Sequence, residues 1–126
     1  MATQRRRILV CDDEEGIRES VALILGDDYD LAMAANGDEA IQKIQQGDFD
    51  LVLLDIQMPR VGGLQALEWI KRTEPDLPVV MLTAYQSVEV AKQALKLGAT
   101  DYIPKPFERE DLLTQVKRAI EQATTK

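Results

Sequence analysis

Along this chain, short apolar runs alternate with stretches whose apolar residues recur every three or four positions. Ile8-Leu9-Val10-Cys11, Leu51-Val52-Leu53-Leu54 and Val79-Val80-Met81-Leu82 are unbroken, as parallel strands covered on both faces read. Helical spacing predicts helices over 15–25, 39–46, 64–72, 87–97 and 108–123. Ile17, Val21, Ile24 and Leu25 form the apolar face of the first, and Leu113, Val116 and Ile120 that of the last. Ser87 is the expected N-cap of the fourth helix. Gly26, Gly47 and Gly98 each follow a helical stretch and precede an Asp and a strand, so each is expected to end its helix in the left-handed conformation. A fifth strand near 102–104 contains Pro104 and belongs at a sheet edge or strand end. The resulting (βα)5 pattern implies a doubly wound parallel α/β sheet with right-handed crossovers. The pattern predicts one domain over residues 1–126, with a core of about 7–123 and a fraying tail at 122–126.

The chemistry collects where the strands end. The first run leads into Asp12-Asp13, the central one into Asp55, the next into Thr83 and the last into Lys105. Open α/β sheets bind ligands at the carboxyl ends of their strands. Parallel strands would therefore bring three carboxylates, a hydroxyl and an ammonium to one patch. Standing alone, Asp12 and Asp13 would read as caps of the following helix, and Lys105 as a surface lysine. Their shared edge changes that reading. At about 4 Å and an effective dielectric of 20, each carboxylate pair costs on the order of 4 kcal/mol, a conflict that a hard cation resolves. All-oxygen ligation suits Mg²⁺. Asp55 is then both a ligand and a nucleophile toward phosphorus, with Lys105 neutralising the transferred oxygens and Thr83 donating to one of them.

Composition narrows the partners. The chain has 126 residues, 45% of them hydrophobic, and a net charge of −7, which argues against direct nucleic-acid binding. The basic tract Arg5-Arg6-Arg7 is expected to be a solvated lead-in to the first strand. Apolar runs are too short for a membrane span and no signal peptide is evident, so a cytoplasmic protein is expected. One cysteine and no histidine exclude an internal disulfide and argue against zinc. Without histidine the chain cannot supply its own phosphohistidine, so any phosphoryl group comes from outside.

These motifs together resemble the response-regulator receiver domain of two-component signalling, from about Arg7 to Ala123. Cys11-Asp12-Asp13-Glu14 is similar to that family's acidic turn, and Asp55-Ile56-Gln57-Met58-Pro59 to its phosphoacceptor loop. Thr83-Ala84 is similar to its switch threonine, and Lys105-Pro106-Phe107 to its lysine and cis proline. The resemblance implies strand order 2-1-3-4-5 and phosphorylation at Asp55 by a sensor histidine kinase or a histidine phosphotransfer protein. It also implies Mg²⁺ on Asp13, Asp55 and the Gln57 backbone carbonyl, with Asp12 assisting. Tyr102 stands at the switch-aromatic position, and Gln57 and Tyr85 where the family tunes phosphoryl lifetime. An altered surface of helix four, strand five and helix five would then reach an output domain or target, or support a homodimer. Residues 84–102 look most like NtrC-type receivers, which carry ATPase and DNA-binding domains. Gly62 replaces the usual Asp before the third helix, a loss of a few tenths of a kcal/mol. Cys11 replaces an aliphatic residue and should be a buried small hydrophobe.

Other functions fit less well. An FMN carrier would need a phosphate cradle after strand one, where this chain has four acids. No P-loop motif occurs. A haloacid-dehalogenase-like phosphatase would carry its nucleophile after strand one, not strand three. The remaining alternative is a receiver fold that docks partners without phosphorylation.

Overall fold

Strand periodicity divides the core in two. Leu9, Cys11, Val52, Leu54, Val79 and Met81 belong to one buried cluster, while Ile8, Val10, Leu51, Leu53, Val80 and Leu82 belong to another. Successive residues of a strand face opposite ways, so neither face of the sheet can be left to solvent. Helices therefore cover both. The computed structural model describes residues 5–58, 61–84 and 88–124. Its elements are β1 (Arg7–Cys11), α1 (Glu15–Leu25), β2 (Asp30–Ala34), α2 (Gly37–Gln46), β3 (Leu51–Asp55), α3 (Gly63–Thr73), β4 (Val79–Ala84), α4 (Val88–Lys96), β5 (Asp101–Lys105) and α5 (Arg109–Thr124).

The five strands are parallel in the order β2-β1-β3-β4-β5. Residues of α2, α3 and α4 fill the first cluster, and those of α1 and α5 the second. On α5, Leu112, Val116, Ala119 and Ile120 are buried; Leu113, expected on the core face, only packs against its edge. Pro104 lies in β5, the edge strand, where a missing N–H leaves no ladder bond unmade.

Three local expectations change. Of the three glycines, only Gly98 has a positive φ, at 109°. Gly26 is right-handed, because the chain continues turning and both Asp28 and Tyr29 donate to the Leu25 carbonyl. Gly47 is extended and lies against Arg7, whose Nη1 would be 3.0 Å from an added Cβ. Helix α2 starts two residues earlier than expected because Asn36 Oδ1 caps it, accepting from Glu39 N at 2.9 Å. Of the tail expected at 122–126, residues 122–124 are helical and 125–126, like Ser87, lie outside the described residues.

The basic tract is exposed, as a solvated lead-in should be, and its guanidinium groups also find partners. Arg5 donates to the carbonyls of Gly26 and Tyr29, and Arg6 pairs with Asp50 at 3.5 Å. Arg7 donates to the Asp48 carbonyl and covers the Phe49 ring at 4.6 Å. The tract ties two loops to the start of β1 while its side chains stay open to solvent.

Candidate functional site

The register sets the site. Cys11 pairs with Leu54, Asp55 with Leu82, and Thr83 with Pro104, so the ends of β1, β3, β4 and β5 lie side by side. Carboxylate oxygens of Asp12, Asp13 and Asp55 come within 4.8 Å of one another. Asp12 and Asp55 are buried and Asp13 is exposed. Lys105 reaches in from β5, with Nζ 2.8 Å from Asp12 Oδ2, 3.5 Å from Asp55 Oδ2 and 3.6 Å from Glu14 Oε1. A cavity of about 800 Å³ opens over them, lined by Asp13, Asp55, Gln57 and Lys105 among others.

Helix capping does not account for the acidic pair. Glu14 is the N-cap of α1 and makes no side-chain cap bond. Asp12 Oδ1 instead accepts from Glu14 N at 2.9 Å, in an Asx turn. Asp12 Oδ2 is buried without a hydrogen bond of good angle, although the Lys105 ammonium lies 2.8 Å away. It therefore has a close countercharge and a lone pair still free. With an all-oxygen donor set around it, the residues fit a small hard cation such as Mg²⁺.

The electrostatics agree. Burial, then the nearby Asp12 carboxylate, raises the Asp55 carboxyl to about 7, against the opposing effects of Lys105 and the Gln57 N–H. A hydrogen bond with the Asp13 carboxyl raises it further. Burial alone would lower the Lys105 pKa, but Asp12, Asp55 and Glu14 together outweigh it and leave it raised. The ammonium is thus a permanent charge in the site. Cys11 behaves as an inert hydrophobe: it is fully buried, its thiol lies 3.3 Å from the Asn36 carbonyl, and burial and neighbouring acids push it up to about 12.

Helix α3 holds the Asp55 loop from below. Gly63 N donates to the Ile56 carbonyl at 2.9 Å, and a Cβ at Gly63 would collide with the Asp55 carbonyl oxygen and Ile56 Cα. Gly62 is the N-cap, with its N–H given to Gln65 Oε1 at 3.2 Å; the helix survives the lost aspartate. Gln57 N donates to Asp55 Oδ1 at 3.3 Å. Thr83 is buried, with its hydroxyl directed at the Ala84 carbonyl, 3.3 Å away. Tyr102 is half-buried and packs against the α2–α3–α4 core cluster. The Lys105–Pro106 peptide is cis. Tyr85 lies outside the described residues.

Two neighbours of the site escaped the sequence reading. Glu14 is a third carboxylate on Lys105, signalled only by its place in the acidic run. Arg18 donates from α1 to the Asp12 carbonyl at 2.6 Å, a contact that depends on side-chain reach and has no motif.

Comparison with known proteins gives a consistent answer. The family model for the response regulator receiver domain matches residues 8–117. The response regulator MprA of Mycolicibacterium vanbaalenii is 40% identical over 119 residues, covering 94% of this chain and 52% of that protein. The transcriptional regulatory protein DltR of Streptococcus agalactiae is 37% identical over 119 residues, covering 94% of this chain and 53% of that protein. This chain thus spans about half the length of these curated relatives. Among solved structures, NtrX from Brucella abortus superposes with a TM-score of 0.93 at 38% identity, covering 97% of this chain and 28% of that one. A CheY-like receiver domain protein from Methanospirillum hungatei gives 0.91 at 33% identity, covering 97% and 98%. The NtrX likeness agrees with the NtrC-type resemblance of residues 84–102. Among the described residues, no helix is long and apolar enough to cross a membrane.

Proposed function

This chain belongs to the response regulator receiver domain family, and we propose that it is the phosphoacceptor of a two-component relay, with Asp55 as the residue phosphorylated. The observation that carries this reading is the convergence of Asp12, Asp13 and Lys105 on one buried carboxylate at the end of the central strand. Asp55 attacks phosphorus, an oxygen–phosphorus bond forms, and the phosphorus–nitrogen bond to the donor imidazole of a sensor histidine kinase or histidine phosphotransfer protein breaks. Asp12, Asp13, Asp55 and the Gln57 carbonyl would hold Mg²⁺, which supplies positive charge to the transferred oxygens. Lys105 adds its own charge there, and the Thr83 hydroxyl donates to a phosphoryl oxygen. Gln57 and Tyr85 control water's access to the product and so its lifetime.

In this reading the protein is a phosphoryl acceptor that assists its own labelling and dephosphorylation, not a turnover enzyme on an external substrate. The receiver unit spans about residues 7–123 and acts in the cytoplasm. The phosphoryl group switches Thr83 and Tyr102, and the surface of α4, β5 and α5 then meets an output domain, a target or a second copy. The names of relatives such as DltR favour a transcriptional output. The net charge of −7 supports an output that does not run through nucleic-acid contact by this domain.

The test is intact mass after incubation with acetyl phosphate and Mg²⁺. Wild type should gain one phosphoryl group, and Asp55→Ala should not. An adduct on Asp55→Ala moves the acceptor elsewhere; no adduct on wild type favours a docking module that works without phosphorylation.

A further inference from the structure

Asp12 is held by every polar group it has. Its N–H donates to the Ala34 carbonyl of β2 at 3.1 Å, continuing the ladder past the end of β1. Its Oδ1 accepts from Glu14 N, and its Oδ2 faces Lys105. The remaining group is the carbonyl, and Arg18 Nη1 donates to it at 2.6 Å. That carbonyl belongs to the peptide joining Asp12 to Asp13. Its plane fixes the Asp13 N–Cα bond, the base from which the exposed Asp13 side chain leaves the backbone.

Arg18 is well suited to this task. It is half-buried, in the first turns of α1, and its planar fork is pre-organised, so little freedom is lost in forming the bond. The N–H groups of Ile17 and Arg18 both bond back to the Glu14 carbonyl. The acidic turn and the start of α1 are thereby one rigid unit, with the guanidinium closing the loop. No metal-facing carboxylate needs Arg18 as its own partner, since the contact is to the backbone.

We propose that Arg18 is a positioning residue for the divalent cation: through the Asp12 carbonyl it holds the Asp12–Asp13 peptide in the orientation that directs Asp13 at the cation. The inference rests on reading the acidic cluster as a cation site. It makes a counterintuitive statement about sign. By charge alone, removing a nearby guanidinium should tighten binding of a cation. By positioning, removing it should weaken binding, because the Asp13 carboxylate is no longer aimed.

Calorimetric titration of the metal-free protein with Mg²⁺ alone separates the two. Arg18→Met, which keeps the stem and discards both charge and donors, should raise Kd roughly tenfold, the range typical for residues that orient ligands. Arg18→Lys, which restores a donor and the charge, should recover most of that loss. Asp13→Asn sets the scale for outright loss of a ligand. An Arg18→Met protein that binds Mg²⁺ as tightly as wild type, or more tightly, overturns the proposal. Wild type that fails to bind Mg²⁺ overturns the cation reading itself, and the inference with it. A readout needing no variant is NMR of the Arg18 guanidinium in wild type. A held group shows resolved, slowly exchanging Nη protons that persist at saturating Mg²⁺; averaged signals in the bound state also overturn the proposal.

Discussion

Lys105 Nζ stands 2.8 Å from Asp12 Oδ2 but 3.5 Å from Asp55 Oδ2. In the resting protein the ammonium is therefore held mainly by the acidic turn, and only secondarily by the proposed acceptor. In the proposed reaction an incoming phosphoryl group would have to compete for it with a fully buried carboxylate. The arrangement also makes Lys105 structural.

Lys105→Met should accordingly destabilise the metal-free protein. Its loss leaves the buried Asp12 charge without its close cation, and breaking a buried pair from one side costs about 3–5 kcal/mol. Lys105 itself lines the open cavity, so its removal lets water approach the carboxylate, and roughly 2–4 kcal/mol is expected. Urea unfolding at pH 8 in excess chelator measures it. Saturating Mg²⁺ should recover part of the loss, since it neutralises the same carboxylates. Unchanged stability without metal would mean that Lys105 does not hold Asp12.

The raised Asp55 carboxyl gives stability a defined pH dependence. Below its ordinary value of 3.8, both folded and unfolded chains hold the proton. Between there and about 7 the folded form holds a proton that the unfolded form has released. The stabilising contribution is thus present at low pH and lost as pH rises through about 7, with a slope of at most about 1.4 kcal/mol per pH unit. Asp55→Asn removes that titration. In chelator, its stability advantage over wild type should grow from pH 5 to pH 8, and Mg²⁺ should shrink it. Parallel pH curves for the two proteins would rule out a displaced Asp55 titration.

The three central strands were legible because they are buried on both faces, which leaves continuous apolar runs that no surface helix produces; β2, half-exposed at the edge, left no such run. The site was legible for a related reason: a parallel sheet must deliver all its strand ends to one edge, so Asp12, Asp55, Thr83 and Lys105 converge without any long-range inference. What stayed hidden depends on side-chain reach or local turn geometry. Arg18 and Glu14 touch the site through flexible side chains, and spacing says nothing about where those end. Gly26 and Gly47 share a sequence context with Gly98, yet only Gly98 is left-handed. At Gly26 a further turn follows the helix, and at Gly47 the packing of Arg7 selects an extended exit.

Gly63 illustrates packing that a motif marks without explaining. Any side chain there would strike the carbonyl of Asp55 and the backbone of Ile56. Because the obstacle is backbone, relief requires α3 to retreat or the end of β3 to shift. Gly63→Ala should cost about 1–3 kcal/mol, the usual range for overpacking, and should slow labelling by acetyl phosphate more than Gly62→Ala does. An added Cβ at Gly62 would meet nothing nearer than 3.9 Å. Equal labelling rates for the two variants would detach α3 placement from the acceptor's geometry.

The proposed switch would rest on Thr83. Its hydroxyl is buried and its present bond, 3.3 Å to the adjacent Ala84 carbonyl, is long for an O–H donor, whose usual distance is about 2.7–2.8 Å. A weak bond is easily exchanged for a charge-assisted one to a phosphoryl oxygen. Tyr102 pairs in register with Met81, two residues before Thr83 on β4, and is only half-buried, so its ring has room to move further in. In the proposed switch, phosphorylation would add roughly −1.5 to −2 charge, draw the hydroxyl toward it and bias an inward state of Tyr102. The bias can be no larger than the difference in contacts between the two states. Thr83→Ala should still accept phosphate on Asp55, because Asp12, Asp13 and Lys105 are intact, yet lose most of the conformational response. Amide NMR with and without beryllofluoride, a phosphoryl mimic, reads this directly. In wild type the amides of α4 and β5 should shift with those around Asp55; in Thr83→Ala the shifts should stay near Asp55. Equal shifts through α4 and β5 in both proteins would mean that the signal travels by a route without the Thr83 hydroxyl.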